Sequence, residues 1–130
     1  MKTRTIHQQV TFKGTPHDVY ELLMDEKKHG EFSQSKTIIS RKVGGRISSG
    51  DGYIEGTNLE IVPDKKIVQS WRDTDWPEGH YSKATWEFVP VASGTRMIFT
   101  QSGVPDDQYE ATAQGWRDYY WEPMKEMLKK

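Results

Sequence analysis

The chain has no cysteine, which excludes disulfides and thiolate metal sites. It also lacks an apolar run long enough to cross a bilayer or to serve as a secretory leader. A cytoplasmic protein without a membrane span is therefore expected. Charge of one sign is missing as well: 18 Lys and Arg face 19 Asp and Glu for a formal net charge of −1, with no basic cluster. The electrostatic footprint of a nucleic-acid binder is absent, and no nucleic acid is expected as a partner. Apolar residues make up only 34% of the 130, yet aromatics reach 12%, so the core has to be built from few but bulky side chains. A chain of this length reads as one domain, 1–130, able to bury about two thirds of its unfolded surface. It is expected to be a monomer or weak dimer.

What is present is organised around the C-terminal run from Pro105 to Lys130. From Tyr109 the residues Ala113, Trp116, Tyr120, Met124 and Met127 recur at helical spacing on one stripe. Asp106 and Asp107 favour the start of that helix, and Lys125, Lys129 and Lys130 its end. Pro123 removes a backbone hydrogen bond and clashes with the carbonyl of Tyr119, which predicts a kink. Tyr119 and Trp121 fall on the flanks of the stripe, partly exposed, and with Trp76 in a loop they are candidates for an interaction patch.

The segments upstream supply a surface for this helix. Ile6 to Lys13 alternates as a half-buried strand. Thr15-Pro16-His17-Asp18 reads as a helix start with a capping box, and the charged stretch from Asp25 leads through a short second helix or an irregular connection to Phe32. From Thr37 the chain turns back on itself repeatedly, the pattern of an antiparallel meander of about five or six strands. Its last strand is expected to end at Gly103, where the helix begins. Strand parity places Ala84, Trp86, Phe88, Met97 and Phe99 on the face toward that helix, with Leu59, Ile61, Ile67 and Trp71. Extending it turns Tyr53, Thr57, Gln69 and Gln101 inward, polar groups that need partners, water or a ligand.

The order of elements is that of the helix-grip fold, an α+β architecture in which a curved antiparallel sheet wraps around the last helix. Three stretches carry a closer likeness: Val43-Gly44-Gly45-Arg46-Ile47, Gly52-Tyr53-Ile54-Glu55-Gly56-Thr57-Asn58-Leu59-Glu60-Ile61 and Ile67-Val68-Gln69-Ser70-Trp71-Arg72. The strand ending Thr100-Gln101-Ser102-Gly103-Val104-Pro105 and Gly115-Trp116 within the final helix extend it. Together they resemble the family named for the C-terminal domain of the activator of the heat shock protein 90 ATPase, within the SRPBCC or START-like superfamily. The resemblance implies a helix-grip domain with two short helices after the first strand and a cavity between sheet and C-terminal helix. It also implies a link to the stress response through a chaperone partner. Family members include a cochaperone domain and many small proteins. The eukaryotic cochaperone carries a separate N-terminal domain, whereas this chain starts directly at the first strand, so full ATPase activation is not expected of it.

No catalytic motif stands out. His7, His17, His29 and His80 show no close pairing of metal ligands and are read as surface or structural. No serine sits in a nucleophile elbow. Asp73 and Asp75 read as solvated turn residues at the start of a loop. Glu55 shares parity with Tyr53 and Thr57; it either reaches inward as an acid or anchor, or stands at the rim paired with a cation. The rim is preferred because an unpaired buried charge is costly. The expected function is to hold a small apolar or amphipathic molecule between sheet and helix, without cofactor or metal. The lining would be Tyr53, Glu55, Thr57, Gln69, Trp71, Trp86, Phe99, Gln101, Trp116 and Tyr120. Two alternatives stand beside it: a protein-interaction module resembling the cochaperone, which contacts a chaperone through exposed aromatics, and an enzyme of the same superfamily.

Overall fold

The computed structural model describes residues 1–129. Its order is β1 (Thr3–Phe12), α1 (Pro16–Met24), α2 (Glu26–Ser33), β2 (Ile38–Ile39), β3 (Arg46–Ser49), β4 (Ile54–Val62), β5 (Lys66–Asp73), β6 (Ser82–Val91) and β7 (Gly94–Pro105), followed by the C-terminal helix. The strands form one seven-stranded sheet in the order β1-β7-β6-β5-β4-β3-β2, antiparallel throughout. Each strand after β2 lies beside its predecessor, as short connections favour. A crossover brings β1 to the edge against β7. This is the α+β helix-grip fold.

Local chemistry starts the helices where expected. Asp18 N–H donates to Thr15 Oγ1 at 3.1 Å, and Thr15 N–H donates back to Asp18 Oδ2 at 2.9 Å. The bonds from Thr15 hold the Asp18 carboxyl below its usual range. In α2 the Asp25 carboxylate caps Lys28 N–H at 2.9 Å, and Gln34 ends the helix in a left-handed conformation at φ 51°. The second helix therefore forms and runs through Gly30.

Strand β7 continues to Pro105, two residues beyond the expected end at Gly103. A single 3₁₀ turn (Asp106–Gln108) then leads into α3 (Tyr109–Trp116), a π turn (Arg117–Trp121) and α4 (Glu122–Leu128). The disturbance expected at Pro123 takes the form of this π turn, in which Glu122 N–H donates to the carbonyl of Arg117 five residues back. Widening the helix just before proline relieves the clash with the preceding turn. It also places residues five apart above one another: the Trp116 and Trp121 rings stack at 5.3 Å with an interplanar angle of 15°. Trp121 is consequently 3% exposed, which corrects its expected place on the flank. Tyr119 remains exposed.

The inward face of the sheet carries Ala84, Trp86, Phe88, Met97 and Phe99, all buried as parity requires. Strand β4 departs from parity. Its pairing with β5 shifts between Asn58 and Glu60, and a bulge of one residue reverses the faces on its two sides. Ile61 packs on the core, but Leu59 is exposed, and upstream of the bulge Gly56 and Asn58 lie opposite Trp71 and Gln69. Glu55 and Thr57 therefore lie on the outer face, which corrects the inward placement of Thr57 and of Glu55 as a lining residue and agrees with the preferred rim reading of Glu55.

Candidate functional site

Between the sheet and the helix the space is not one cavity. Under the sheet's middle the rings of Trp86, Phe99, Trp116 and Trp121 close on one another, with Phe99 to Trp116 at 4.6 Å and Trp86 to Phe99 at 5.3 Å. Beside Trp86 a gap of about 10 Å³ remains, and on the outer side of Trp121 a groove of about 550 Å³ opens between β1 and the helix. At one end of the sheet the elements diverge and leave a cleft of about 450 Å³.

Three walls bound the cleft. The helix contributes Ala111, Thr112, Gly115, Trp116, Tyr119 and Tyr120; the turn from β3 to β4 contributes Ser49, Gly50, Tyr53 and Ile54; the end of β5 contributes Trp71 and Asp73, with Asp75 beyond it. Ser33 and Ser35, at the end of α2, close the remaining side. The helix is narrow where it passes the cleft because Gly115 has no side chain. A Cβ there would meet only Tyr119 Cδ2, at 3.9 Å.

Polar groups sit at two poles. At one, Tyr53 O–H donates to Asp75 Oδ2 at 2.5 Å, and Asp75 N–H donates to Asp73 Oδ1 at 2.8 Å. Asp73 is 6% exposed, and burial is the main reason its carboxyl titrates above the usual range. Burial, reinforced by the bond to Asp75, likewise raises the Tyr53 hydroxyl. At the other pole Ser33 and Ser35 share a hydrogen bond at 2.8 Å, and Gly50 N–H donates to Ser35 Oγ at 3.0 Å. Behind Ser49 lies His29, whose Nδ1–H donates to the Leu23 carbonyl at 3.0 Å. Its Nε2 is left as an acceptor, 3.5 Å from Ser49 Oγ. Burial pushes this imidazole down to about 4 and the Tyr120 hydroxyl up to about 12.

Of the residues expected to line a cavity, Tyr53, Trp71, Trp116 and Tyr120 meet at the cleft. Trp86 and Phe99 belong to the packed middle. Gln69 and Gln101 do point inward, but protein groups occupy them. Gln69 Nε2 donates to Asn58 Oδ1 at 3.0 Å, Gln101 Nε2 donates to Ser82 Oγ at 2.9 Å, and Gln101 Oε1 accepts from Trp116 Nε1 at 2.7 Å. Their inward placement calls for no ligand. On the outer face Glu55 accepts from the Tyr81 hydroxyl and from Arg46 Nη2 at 3.4 Å, which is the rim pairing with a cation. Trp76 is 3% exposed and stands 5.3 Å from Trp71. With Trp76 and Trp121 both buried, the expected aromatic patch is not there.

Sequence reasoning missed Asp73, Ser33, Ser35, Ser49, Gly115 and Thr112. Asp73 carried a usable signal, because it continues the inward parity of Ile67, Gln69 and Trp71 on β5. The serines carried none, since only the tertiary fold brings α2 beside β3. Among the described residues no group of three or more His, Cys, Asp or Glu is placed to hold a metal ion, and no helix is long and apolar enough to cross a membrane.

A curved antiparallel sheet gripping a C-terminal helix, with a cleft open at one end, defines a helix-grip domain of the SRPBCC or START-like kind. The chain belongs to the family described as Activator of Hsp90 ATPase homolog 1-like protein, whose model matches residues 13–129. It is 31% identical over 116 residues to the human activator of 90 kDa heat shock protein ATPase homolog 1, an alignment that covers 89% of this chain and 34% of that protein. The Dictyostelium discoideum homologue is 34% identical over 116 residues, covering 88% and 30%. The chain thus spans about a third of the curated relatives it matches. Among solved structures, an HSP90 activator from Plasmodium falciparum superposes with a TM-score of 0.87 at 25% identity, covering 96% of each chain. A Chromobacterium violaceum protein at 20% identity shares the fold, with a TM-score of 0.83 over 97% and 98% of the two chains.

Proposed function

We propose that this domain holds a small amphipathic molecule in the cleft at the end of the grip. The observation that carries the reading is the contrast in filling: about 450 Å³ stands open at the end, while about 10 Å³ remains under the middle. The open volume falls in the usual range for small-molecule sites, roughly 300–1,000 Å³. Its walls have the composition such sites favour, aromatic surface with a few placed polar groups. Of the residues first expected to bind, Tyr53, Trp71, Trp116 and Tyr120 keep that role; Glu55 and Thr57 on the outer face, and Gln69, Trp86, Phe99 and Gln101 in the packed interior, do not.

The test is Gly115→Trp, which projects an indole into the cleft from a helix position with free space. The neutral probe Nile red should bind the unmodified chain saturably and quench emission from Trp71 and Trp116. Gly115→Trp should abolish binding while the melting temperature stays within a few degrees. Unchanged binding in the variant, or no saturable binding to the unmodified chain, would sink the reading.

The 31% and 34% identities to Hsp90 ATPase activators support a second reading, a contact between the domain's surface and a chaperone of that class. Adding the domain to a chaperone ATPase assay should leave the rate near basal. A several-fold rise would promote this reading over the first. We assign either role to the cytoplasm, and the second to the response to stress.

A further inference from the structure

We propose that the occupant of the cleft is a protonated primary amine on an aromatic or alkyl body, its ammonium taken by Asp73 and Asp75 and its body laid against Trp71, Trp116 and Tyr119. The inference rests on the cleft being a binding site, and it deepens that reading by naming the charge and shape of the ligand. The cleft is lined by two carboxylates and by no lysine, arginine or histidine. Neither carboxylate takes part in an ion pair among the described residues.

This imbalance is unusual for a carboxylate as buried as Asp73, because a charge removed from water is costly until an opposite charge joins it. The protein supplies Asp73 with the Asp75 N–H, the nearby Tyr53 hydroxyl and the field of Arg72, none of them an ion pair. An ammonium brings both the missing charge and further donors. A carboxylate or phosphate ligand would meet like charge at the same place and be rejected. The body of the ligand is specified by the rest of the lining. Trp71 and Trp116 stand 5.1 Å apart, Trp116 and Tyr120 4.5 Å, and Tyr119 is 70% exposed at the mouth. Aromatic faces take both apolar area and the fringe of a cation.

Behind the deep wall lies a donor that the occupant does not serve. Ser49, Trp71 and Tyr120 border both the cleft and the gap of about 10 Å³ behind it. That gap is also bordered by Trp86, whose buried indole N–H has no acceptor among the described residues. That donor lies behind the cleft wall, in a gap the size of one water; an ammonium in the cleft, having no acceptor, leaves it to such a water.

The experiment compares three probes with the same indole body: tryptamine (ammonium), tryptophol (neutral) and indole-3-acetate (anionic), each titrated calorimetrically into the full chain. Tryptamine should bind at least about ten-fold more tightly than tryptophol, and indole-3-acetate more weakly than both. Asp73→Asn with Asp75→Asn keeps the hydrogen-bond acceptors and removes the charge; it should bring tryptamine down to the affinity of tryptophol and leave tryptophol unchanged. Glu60→Gln, at an exposed carboxylate away from the cleft, should change none of the three. Should the double variant not fold, Asp75→Asn alone and a salt titration carry the test, since added salt should weaken tryptamine and spare tryptophol. If tryptophol and indole-3-acetate bind as well as tryptamine, the charge assignment is overturned while the cleft remains a binding site. If none of the three binds while Nile red does, the amine assignment falls and the cleft remains a binding site; if Nile red fails as well, both fall.

Discussion

In the middle of the grip, Trp86, Phe99, Trp116 and Trp121 meet ring against ring, with a gap of about 10 Å³ beside Trp86; at its open end, Tyr53, Trp71, Tyr119 and Tyr120 stand around about 450 Å³. Both regions are rich in aromatics, so the kind of side chain does not distinguish them. What faces the rings does. In the middle, sheet and helix both present large rings. At the end, the helix presents Ala111, Thr112 and Gly115, and the end of α2 and the turn after it present Ser33 and Ser35. Small groups opposite large ones leave room that the backbone, held by the strand ladder, cannot close. Stability and binding capacity are thereby divided along the length of one helix.

The largest effect expected from this division is in the packed half. Trp121→Ala should cost about 3–5 kcal/mol in denaturant unfolding, as large-to-small core changes do, whereas Tyr119→Ala two residues away should cost less than about 0.5 kcal/mol. Equal midpoints for the two variants would erase the distinction between the faces of the π turn.

Next comes the buried imidazole at the border of the two regions, His29, stacked on Phe32 at 4.7 Å, edge-on to Tyr120 at 5.5 Å and reached by Ser49 Oγ. Its folded value of about 4 lies below the ordinary 6.5. Between those values the unfolded chain binds the proton and the folded chain does not, so stability present above pH 6.5 falls as the pH drops toward 4. The loss attributable to this group reaches up to about 3 kcal/mol. Asp73, raised by burial, contributes with the opposite sign in the window that opens upward from its ordinary 3.8. The measurement is therefore a difference: unfolding free energy against pH for the native chain minus that for His29→Phe. A difference with no slope over this window would show that the site is wetter than its burial implies.

A smaller effect tests whether the interior amides are structural. Gln101→Leu leaves the Trp116 indole N–H without its acceptor and should cost about 1–3 kcal/mol, with no change in Nile red binding. A loss of binding greater than the loss of stability would return Gln101 to the site. The smallest change is a gain. Gly115→Ala should stabilise by about 0.5–1 kcal/mol, because alanine suits a helix interior and its Cβ meets only ordinary contact. Destabilisation instead would mean that the helix is tighter against the cleft wall than the geometry shows.

Much of this architecture was legible in the residues. The stripe Ala113, Trp116, Tyr120, Met124 identified the buried helix face, and alternation in β6 and β7 identified the sheet's inner face. The Thr15 and Asp18 capping box marked the start of α1. The readings that failed did so at irregularities. The bulge after Asn58 reversed the parity of β4 and carried Glu55 and Thr57 outward. The π turn brought Trp121 inward. A bulge or a π turn adds one residue to a period, and periodic reasoning carries the error to every position beyond it.

Residue order by itself determined the element types, the meander and the aromatic character of the core, because periodicity and capping are local properties set by neighbours a few positions apart. Only the tertiary structure decided where the space lies. Whether Gln69 and Gln101 await a ligand or bond to Asn58, Ser82 and Trp116 depends on distances between strands and helix. Whether Asp73 is solvated or buried in a cleft depends on α2 and α3 arriving beside β5. A cavity is what remains after all side chains have been placed, so it belongs to no segment of the chain and becomes visible only when the segments are assembled.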